Sequence, residues 1–402
     1  VDAEAQAQVF PESDEQRDTA DEDGVVFITP LAAGEAALVS VDITGEGYLN
    51  AWFDLDRDGE FSPAEQLVSE RYLSEGQTVI AVDIPASASD GPSWSRFRLS
   101  SMLGTGPTGG VADGEVEDYA VQLFGRIVTS TYYPAPDSYV SLAYEDLWPQ
   151  AGDYDLNDLI VFYRTVLNTV SLSNRPEDAI VDSVMIEGEI AAIGAALHNG
   201  FAVELTGVAR SLIDTSRMSL TIGGQAASHL VLEEGAGYEH AVLVIYEDAW
   251  GHVSGDEGCK FFRTEDSCGG TGETSRFSLT VPVDGELPVS QIDDQLFNPF
   301  IFGTNARRRE VHLKNRAPTP RADLASFGTG DDASSPGSGI YYQTESGLPW
   351  AIVIGDTWSH PEEARDLLQT YPDFGPFVTS SGSTNQDWHH AERAVSSKLY
   401  EE

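Results

Sequence analysis

The stretch Gly47-Tyr48-Leu49-Asn50-Ala51-Trp52-Phe53-Asp54-Leu55-Asp56-Arg57-Asp58-Gly59-Glu60-Phe61-Ser62-Pro63-Ala64-Glu65 decides how the chain is read. From Asp54 to Glu65 it matches the calcium-loop pattern D-x-[DN]-x-[DN]-G-x5-E at every constrained position. Calcium is a hard ion that takes about six to eight oxygens, so the carboxylates of Asp54, Asp56 and Asp58 must converge on one point. Gly59 permits the sharp turn, Glu60 follows with its backbone carbonyl, Ser62 can hold a water and Glu65 can close the site with two oxygens. A helix–loop–helix hand would put helices on both sides. Here Gly47 to Phe53 alternates and is rich in aromatics, which reads as a strand. The loop is therefore expected between β elements. The alternative is a solvated acidic β-turn without an ion.

Composition sets the outer bounds. The 402 residues carry 66 acidic against 22 basic side chains, a formal net charge of −44, and only Lys260, Lys314 and Lys398 are lysines. Such a surface repels phosphate backbones and anionic lipid, so nucleic acid and membrane surfaces are poor partners and cations are good ones. Disorder does not follow, because 41% hydrophobic and 10% aromatic residues suffice for a packed core. No run of about 18 apolar residues exists, so no membrane-spanning helix is expected. The chain opens without a charged and then apolar leader, and Val1 is read as following a signal sequence already removed or as a cut boundary. Cys259 and Cys268 lie close in sequence, and a disulfide between them would stabilise by roughly 2–3 kcal/mol. That pair fits an extracellular or periplasmic compartment; two free thiols in a reducing cell are the alternative.

Short alternating runs recur at regular spacing with turn residues between them, at 37–43, 48–53, 78–84, 95–99 and 118–124, and later at 201–205, 241–246 and 277–281. This is the pattern of an all-β protein built from sandwiches. Residues 1–20 read as a flexible acidic leader, with a short strand at 7–10 as an option.

Four segments carry a resemblance. Asp21-Glu22-Asp23-Gly24-Val25, the run 49–61, Arg96-Phe97-Arg98-Leu99 and Gly114-Glu115-Val116-Glu117-Asp118-Tyr119 occur in the order of the GEVED domain, which the region 21–124 resembles. A second set resembles the LruC domain over roughly 130–390. It comprises Leu142 to Pro149, Gly152 to Val161, Asn298 to Phe302, Arg309 to Leu313, Gly339 to Tyr342 and Gly347 to Ile352. The resemblances imply export to a bacterial surface or the extracellular space, and a β-rich fold. They imply no catalytic activity. The expected organisation is a leader (1–20), a GEVED-like calcium-binding β-sandwich (21–124) and a larger LruC-like β domain, sandwich or jelly roll (125–402).

A second acidic cluster comprises Glu145, Asp146, Asp153, Asp155, Asn157 and Asp158. Alternation points Asp153, Asp155 and Asn157 to one side of an extended chain, or a turn wraps them around an ion, with Glu145 or Asp146 completing the shell. Turn capping by the same side chains is the alternative. In a third cluster, Glu115, Glu117 and Asp118 either pair with Arg96 and Arg98 across strands or reach back to the first loop. Asp21, Asp23 and the Asp331-Asp332 pair are weaker candidates.

Catalysis has little support. No nucleophile elbow, zinc-protease motif or phosphate loop is present. Glu310 and His312 share a strand face and read as a structural pair; His389-His390 reads as part of a terminal helix. Tyr132, Tyr133, Tyr144, Trp148, Tyr341, Tyr342, Trp350, Trp358 and Trp388 are either core or an exposed glycan-stacking platform. The function expected is a non-enzymatic, calcium-stabilised surface or extracellular module. It would serve adhesion, matrix or filament assembly, with its own copies or other surface proteins as partners, and its leader would act as a linker or pair with another subunit's sheet edge. A calcium-dependent glycan-binding protein is the alternative, and a polysaccharide-active enzyme a third class.

Overall fold

The computed structural model describes residues 6–7, 24–171, 179–255, 258–266, 272–285, 287–292 and 296–401. The fold is all-β, as the alternation predicts, with 45% of residues in strands. Among the described residues the only α-helices are the short Leu367–Thr370 and Phe374–Thr379. The chain forms two compact units, one of residues 1–128 with 170–179 and one of 129–169 with 180–402. Of the leader at 1–20, only the backbone of Gln6–Ala7 is described, and the expectations placed on the remainder fall outside the described residues.

In the first unit, two sheets enclose one core. The larger runs in the order Leu31–Ala32, Glu115–Phe124, Gly91–Ser100, Gly47–Phe53, Gln66–Leu73. The smaller pairs Val25–Phe27, Ala36–Ile43 and Gly76–Asp83. Alternation puts Ala37, Val39 and Val41 inward from the small sheet and Ala36, Leu38 and Asp42 outward. Across from them, Leu49, Phe53, Phe97 and Leu123 of the large sheet fill the same apolar cluster. At about 25 cal/mol per Å² of apolar surface removed from water, that shared face is the main stabilising term of the unit.

The second unit repeats the principle on a larger scale. Seven of the eight strands in its main sheet run Gln225–Ala226, Ser219–Ile222, Phe277–Pro282, Ile180–Ala192, Leu159–Ser171, Val140–Tyr144, Ala351–Ile354. A four-stranded sheet, His240–Tyr246, Asn199–Ala209, Phe297–Gly303, Ala306–His312, packs on one face. Leu142, Tyr144, Leu159 and Val161 point into that interface. Their neighbours Ala143 and Ile160, with Ile352 and Ile354, point to the opposite face, where Trp358, Tyr371, Phe374 and Trp388 of the C-terminal segment cover them. The central strands are thus buried on both faces, which explains why Leu159 to Val161 is an unbroken apolar run.

The expected terminal helix at His389-His390 is a turn instead, because both short α-helices end before it.

Candidate metal centres

The first centre is the loop after strand Gly47–Phe53. Asp54 continues that strand: its amide donates to the carbonyl of Trp94 at 3.0 Å, and its own carbonyl accepts from Ser93 Oγ at 2.5 Å. Asp54, Asp56 and Asp58 each bring a carboxylate oxygen within 4.8 Å of the others. Asp54 is buried while Asp56 and Asp58 are exposed, so the cluster opens to solvent. Burial pushes the Asp54 carboxyl above the usual range; the Gly59 amide counters this, and Glu65 adds to the rise. The turn runs through Arg57 and Gly59 with φ of 64° and 86°. Arg57 pins it from outside, donating to the carbonyls of Asp90 and Pro92 at 2.6 and 3.0 Å.

Glu65 closes the loop at its far end. It is buried, and its Oε1 accepts from the Leu55 amide at 2.7 Å while Oε2 accepts from the Ser62 amide at 2.7 Å. It braces the loop backbone, outside the mutually close trio but near enough to raise the Asp54 carboxyl. Glu60 is exposed and its side chain also lies outside that trio.

The second centre is built by the turn 151–158 and the end of strand Val140–Tyr144. Tyr154 and Leu156 adopt φ of 57° and 53°, a left-handed conformation that costs roughly 1–2 kcal/mol per non-glycine residue. Both side chains are locked in the core beneath the C-terminal segment, and Tyr154 Oη donates to the Pro349 carbonyl at 2.9 Å. The acidic residues alternate with these anchors. Glu145, Asp153 and Asp155 bring carboxylate oxygens within 4.8 Å of one another. Asp153 alone of the three is exposed, and gives the centre its opening.

Two acceptors here have no hydrogen-bond donor. Glu145 is fully buried; its Oε1 accepts from the Leu156 amide at 2.8 Å, but Oε2 has no partner. Asn157 is fully buried and its Oδ1 is likewise unpartnered. Burial drives the Glu145 carboxyl well above its usual range, with Asp158 and Asp155 adding to it. Asp155 is pushed up to about 7, by burial first and then by Asp153. A divalent cation reverses this electrostatic logic, since it supplies the local positive charge that the carboxylates lack.

Asp146 and Asp158 lie to one side. The Asp146 amide donates to Asp158 Oδ2 at 2.7 Å, and Asp146 Oδ2 accepts from Asn199 Nδ2 at 2.6 Å. Burial raises both carboxyls. They form a neighbouring pair outside the Glu145 group.

Glu363 is a residue that the sequence reading missed. A Cβ placed on Gly194 would sit 1.9 Å from Asn157 Oδ1 and 2.6 Å from Glu363 Oε2, so both oxygens converge beside that glycine. Burial, then Asp155 and Asp153, push the Glu363 carboxyl up to about 8. No local spacing connects Glu363 with a cluster two hundred residues earlier.

The third cluster resolves toward arginine pairing. Asp118 faces Arg96 across the strands, and the two form a bidentate buried pair at 2.6 and 2.5 Å. Arg98 donates instead to the carbonyls of Gly106 and Gly109. Glu310 and His312 do share a face at 3.0 Å, but Thr319 and Arg307 also bind Glu310 and no part of either side chain is exposed. Asp332 is buried and caps its own turn through Gly328 and Ser334. Of the aromatics weighed as a glycan platform, Tyr144, Trp148, Tyr342, Trp350, Trp358 and Trp388 are core. Tyr132 and Tyr133 are the exposed ones. Cys268 lies outside the described residues, and with it the disulfide expected with Cys259.

Residues 179–389 match the family described as "Domain of unknown function (DUF4842)", which is more than half of the chain. The chain belongs to the DUF4842 family. Ahead of the DUF4842 domain, residues 48–122 match the GEVED domain, and the first candidate centre lies inside that match. The LruC likeness of the second half stays a reading of its motifs; the family that matches there is DUF4842. No enzymatic family is found among the matches. A search among curated proteins finds no match. Among solved structures, one described as "Putative lipoprotein from Bacteroides ovatus" has a TM-score of 0.52 at 16% identity, covering 88% of this chain and 99% of that one. It shares the fold. A "Putative membrane anchored protein from Corynebacterium diphtheriae" gives a TM-score of 0.17 at 7% identity over 74% of this chain and 60% of that one, too low to carry an argument. Among the described residues no helix is long and apolar enough to cross a membrane.

Proposed function

We propose that this DUF4842 protein is a non-enzymatic module of the bacterial cell surface or extracellular space whose two β units are each stabilised by bound calcium. The observation that carries the reading is the second centre. There two fully buried acceptors, Glu145 Oε2 and Asn157 Oδ1, have no donor and stand beside further carboxylates. A buried acceptor left unpaired costs about 1–3 kcal/mol, and a buried carboxylate more. A hard cation with oxygen ligands removes that cost. The GEVED match and the fold shared with a structure described as a lipoprotein support the surface location. The burial of the large aromatics favours a structural role over sugar stacking.

In this role calcium acts as a folding ligand. It orders the Asp54 and Asp155 turns where the medium outside the cell is rich in the ion. Within that class the chain serves adhesion or matrix assembly and associates with its own copies. Calcium titration of the chelated protein tests the ion: a calcium-specific rise in stability, with magnesium weak, is expected. Native scattering tests the association, and a clean monomer at high concentration contradicts that part.

A further inference from the structure

The second centre draws on more of the chain than its acidic turn. We propose that Glu363 is a ligand of the cation held by Glu145, Asp153, Asp155 and Asn157, and that the ion thereby latches the C-terminal segment, residues 355–400, onto its sheet. This rests on the reading of that centre as a calcium site.

The approach of Glu363 is specific. Its amide donates to the Thr264 carbonyl at 2.8 Å and its Oε2 accepts from Thr264 Oγ1 at 3.3 Å, which aims the carboxylate toward Asn157. It is half-buried, and among the described residues no arginine or lysine pairs with it. Asp155 and Asp153 repel this carboxylate, and the weaker attraction of Lys260 does not offset them. Gly194 makes the approach possible: any side chain there would occupy the space where the Asn157 and Glu363 oxygens meet. With Glu363 included, four carboxylates and one carboxamide surround the centre. That is a donor set of hard oxygens suited to calcium, with room for water on the exposed Asp153 side.

The same spot is where the segment is fastened. Ala364 donates its amide to Asp155 Oδ2 at 2.8 Å, Asn157 Nδ2 donates to the Pro361 carbonyl at 3.1 Å, and Leu367 donates its amide to the Tyr154 carbonyl at 2.8 Å. Beyond these ties the segment's α-helices have only four and six residues, and it clings through Trp358, Leu367, Tyr371, Phe374 and Trp388. Helices that short are marginal by themselves, so the order of the segment depends on its docking. An ion that joins Glu363 to the turn fixes the end of the segment from which the aromatics are laid down.

The test uses the full chain with calcium alone as the probe. Isothermal titration compares the wild type with D155N and E363Q, and D56N isolates the other loop. The expected result is an ion lost in D155N and bound about tenfold or more weakly in E363Q. A D155N-sensitive ion with unchanged affinity in E363Q overturns the latch and leaves the calcium reading standing. The absence of any D155N-sensitive ion overturns both. Because E363Q alters a packed loop, hydrogen exchange of the wild type supplies a second measurement. Chelation should speed exchange of amides 356–371 while calcium slows it, and exchange there that ignores calcium overturns the latch.

Discussion

The amide of Ala364 donates to Oδ2 of Asp155 at 2.8 Å, joining two points 209 residues apart in the chain. The other oxygen of Asp155 accepts from the Asn157 amide at 3.1 Å, so one buried carboxylate holds both its own turn and the C-terminal segment. D155N keeps the shape but loses one acceptor and one charge. It should destabilise the second unit by about 1–3 kcal/mol and remove the calcium response of that unit. Denaturant unfolding with and without calcium reads both effects, and a full calcium response in D155N contradicts the assignment.

Gly194 allows Asn157 and Glu363 to meet, and G194A tests how tightly they do so. A methyl group 1.9 Å from Asn157 Oδ1 forces the carboxamide or the backbone to move. Overpacking of this kind costs about 1–3 kcal/mol. G194A should lose that stability and bind calcium more weakly at the second centre. A neutral substitution there would mean that the site is looser than its geometry.

The buried pair Arg96–Asp118 should respond differently to single and double substitution. Arg96 also stacks over Phe61 of the first loop with 5.3 Å from the guanidinium to the ring centre. Removing Asp118 alone takes the charged partner from a buried guanidinium that otherwise donates to the Pro107 carbonyl at 2.9 Å, at a cost of about 3–5 kcal/mol. Replacing both residues with apolar ones of similar volume should cost clearly less. Urea unfolding of D118A, R96M and R96M/D118L decides it, and equal losses in all three contradict the account.

Much of this was legible in the sequence, for a physical reason. Strand alternation such as Ala36-Ala37-Leu38-Val39 reports directly which face is buried, so the all-β fold followed from it. The closeness of the Asp54 trio followed from loop spacing, because a single turn is a local object. The Leu55 and Ser62 amides that orient the Glu65 carboxylate were not legible, because the pattern does not encode them. Glu145 and Asp155 were within reach of the sequence as members of one acidic run. Glu363 and Gly194 were not, since tertiary packing alone brings them together.

The pH response of the second unit should carry a mark of Glu310. Burial alone would raise this carboxyl, but the His312 hydrogen bond and charge, with Arg307 and Thr319, hold it down at about 2, below the ordinary 4.5. A depressed carboxyl contributes stability that is complete above its unfolded value and is lost as pH falls toward its folded value. The window is therefore about pH 4.5 down to 2, with on the order of 3 kcal/mol at stake. The stability gap between wild type and E310Q should shrink as the pH falls through that window. A gap that stays constant contradicts the reading.

The central claim is that calcium holds both acidic turns as part of the fold. The most direct measurement is thermal unfolding of the chelated protein across a calcium titration, with magnesium as the control. Binding to the folded state alone adds about 2.7 kcal/mol at one hundred times the dissociation constant. A large calcium-specific rise, reduced in both D56N and D155N, is expected. Unfolding that is indifferent to calcium would contradict it, and would leave the two clusters as solvated or proton-sharing carboxylates.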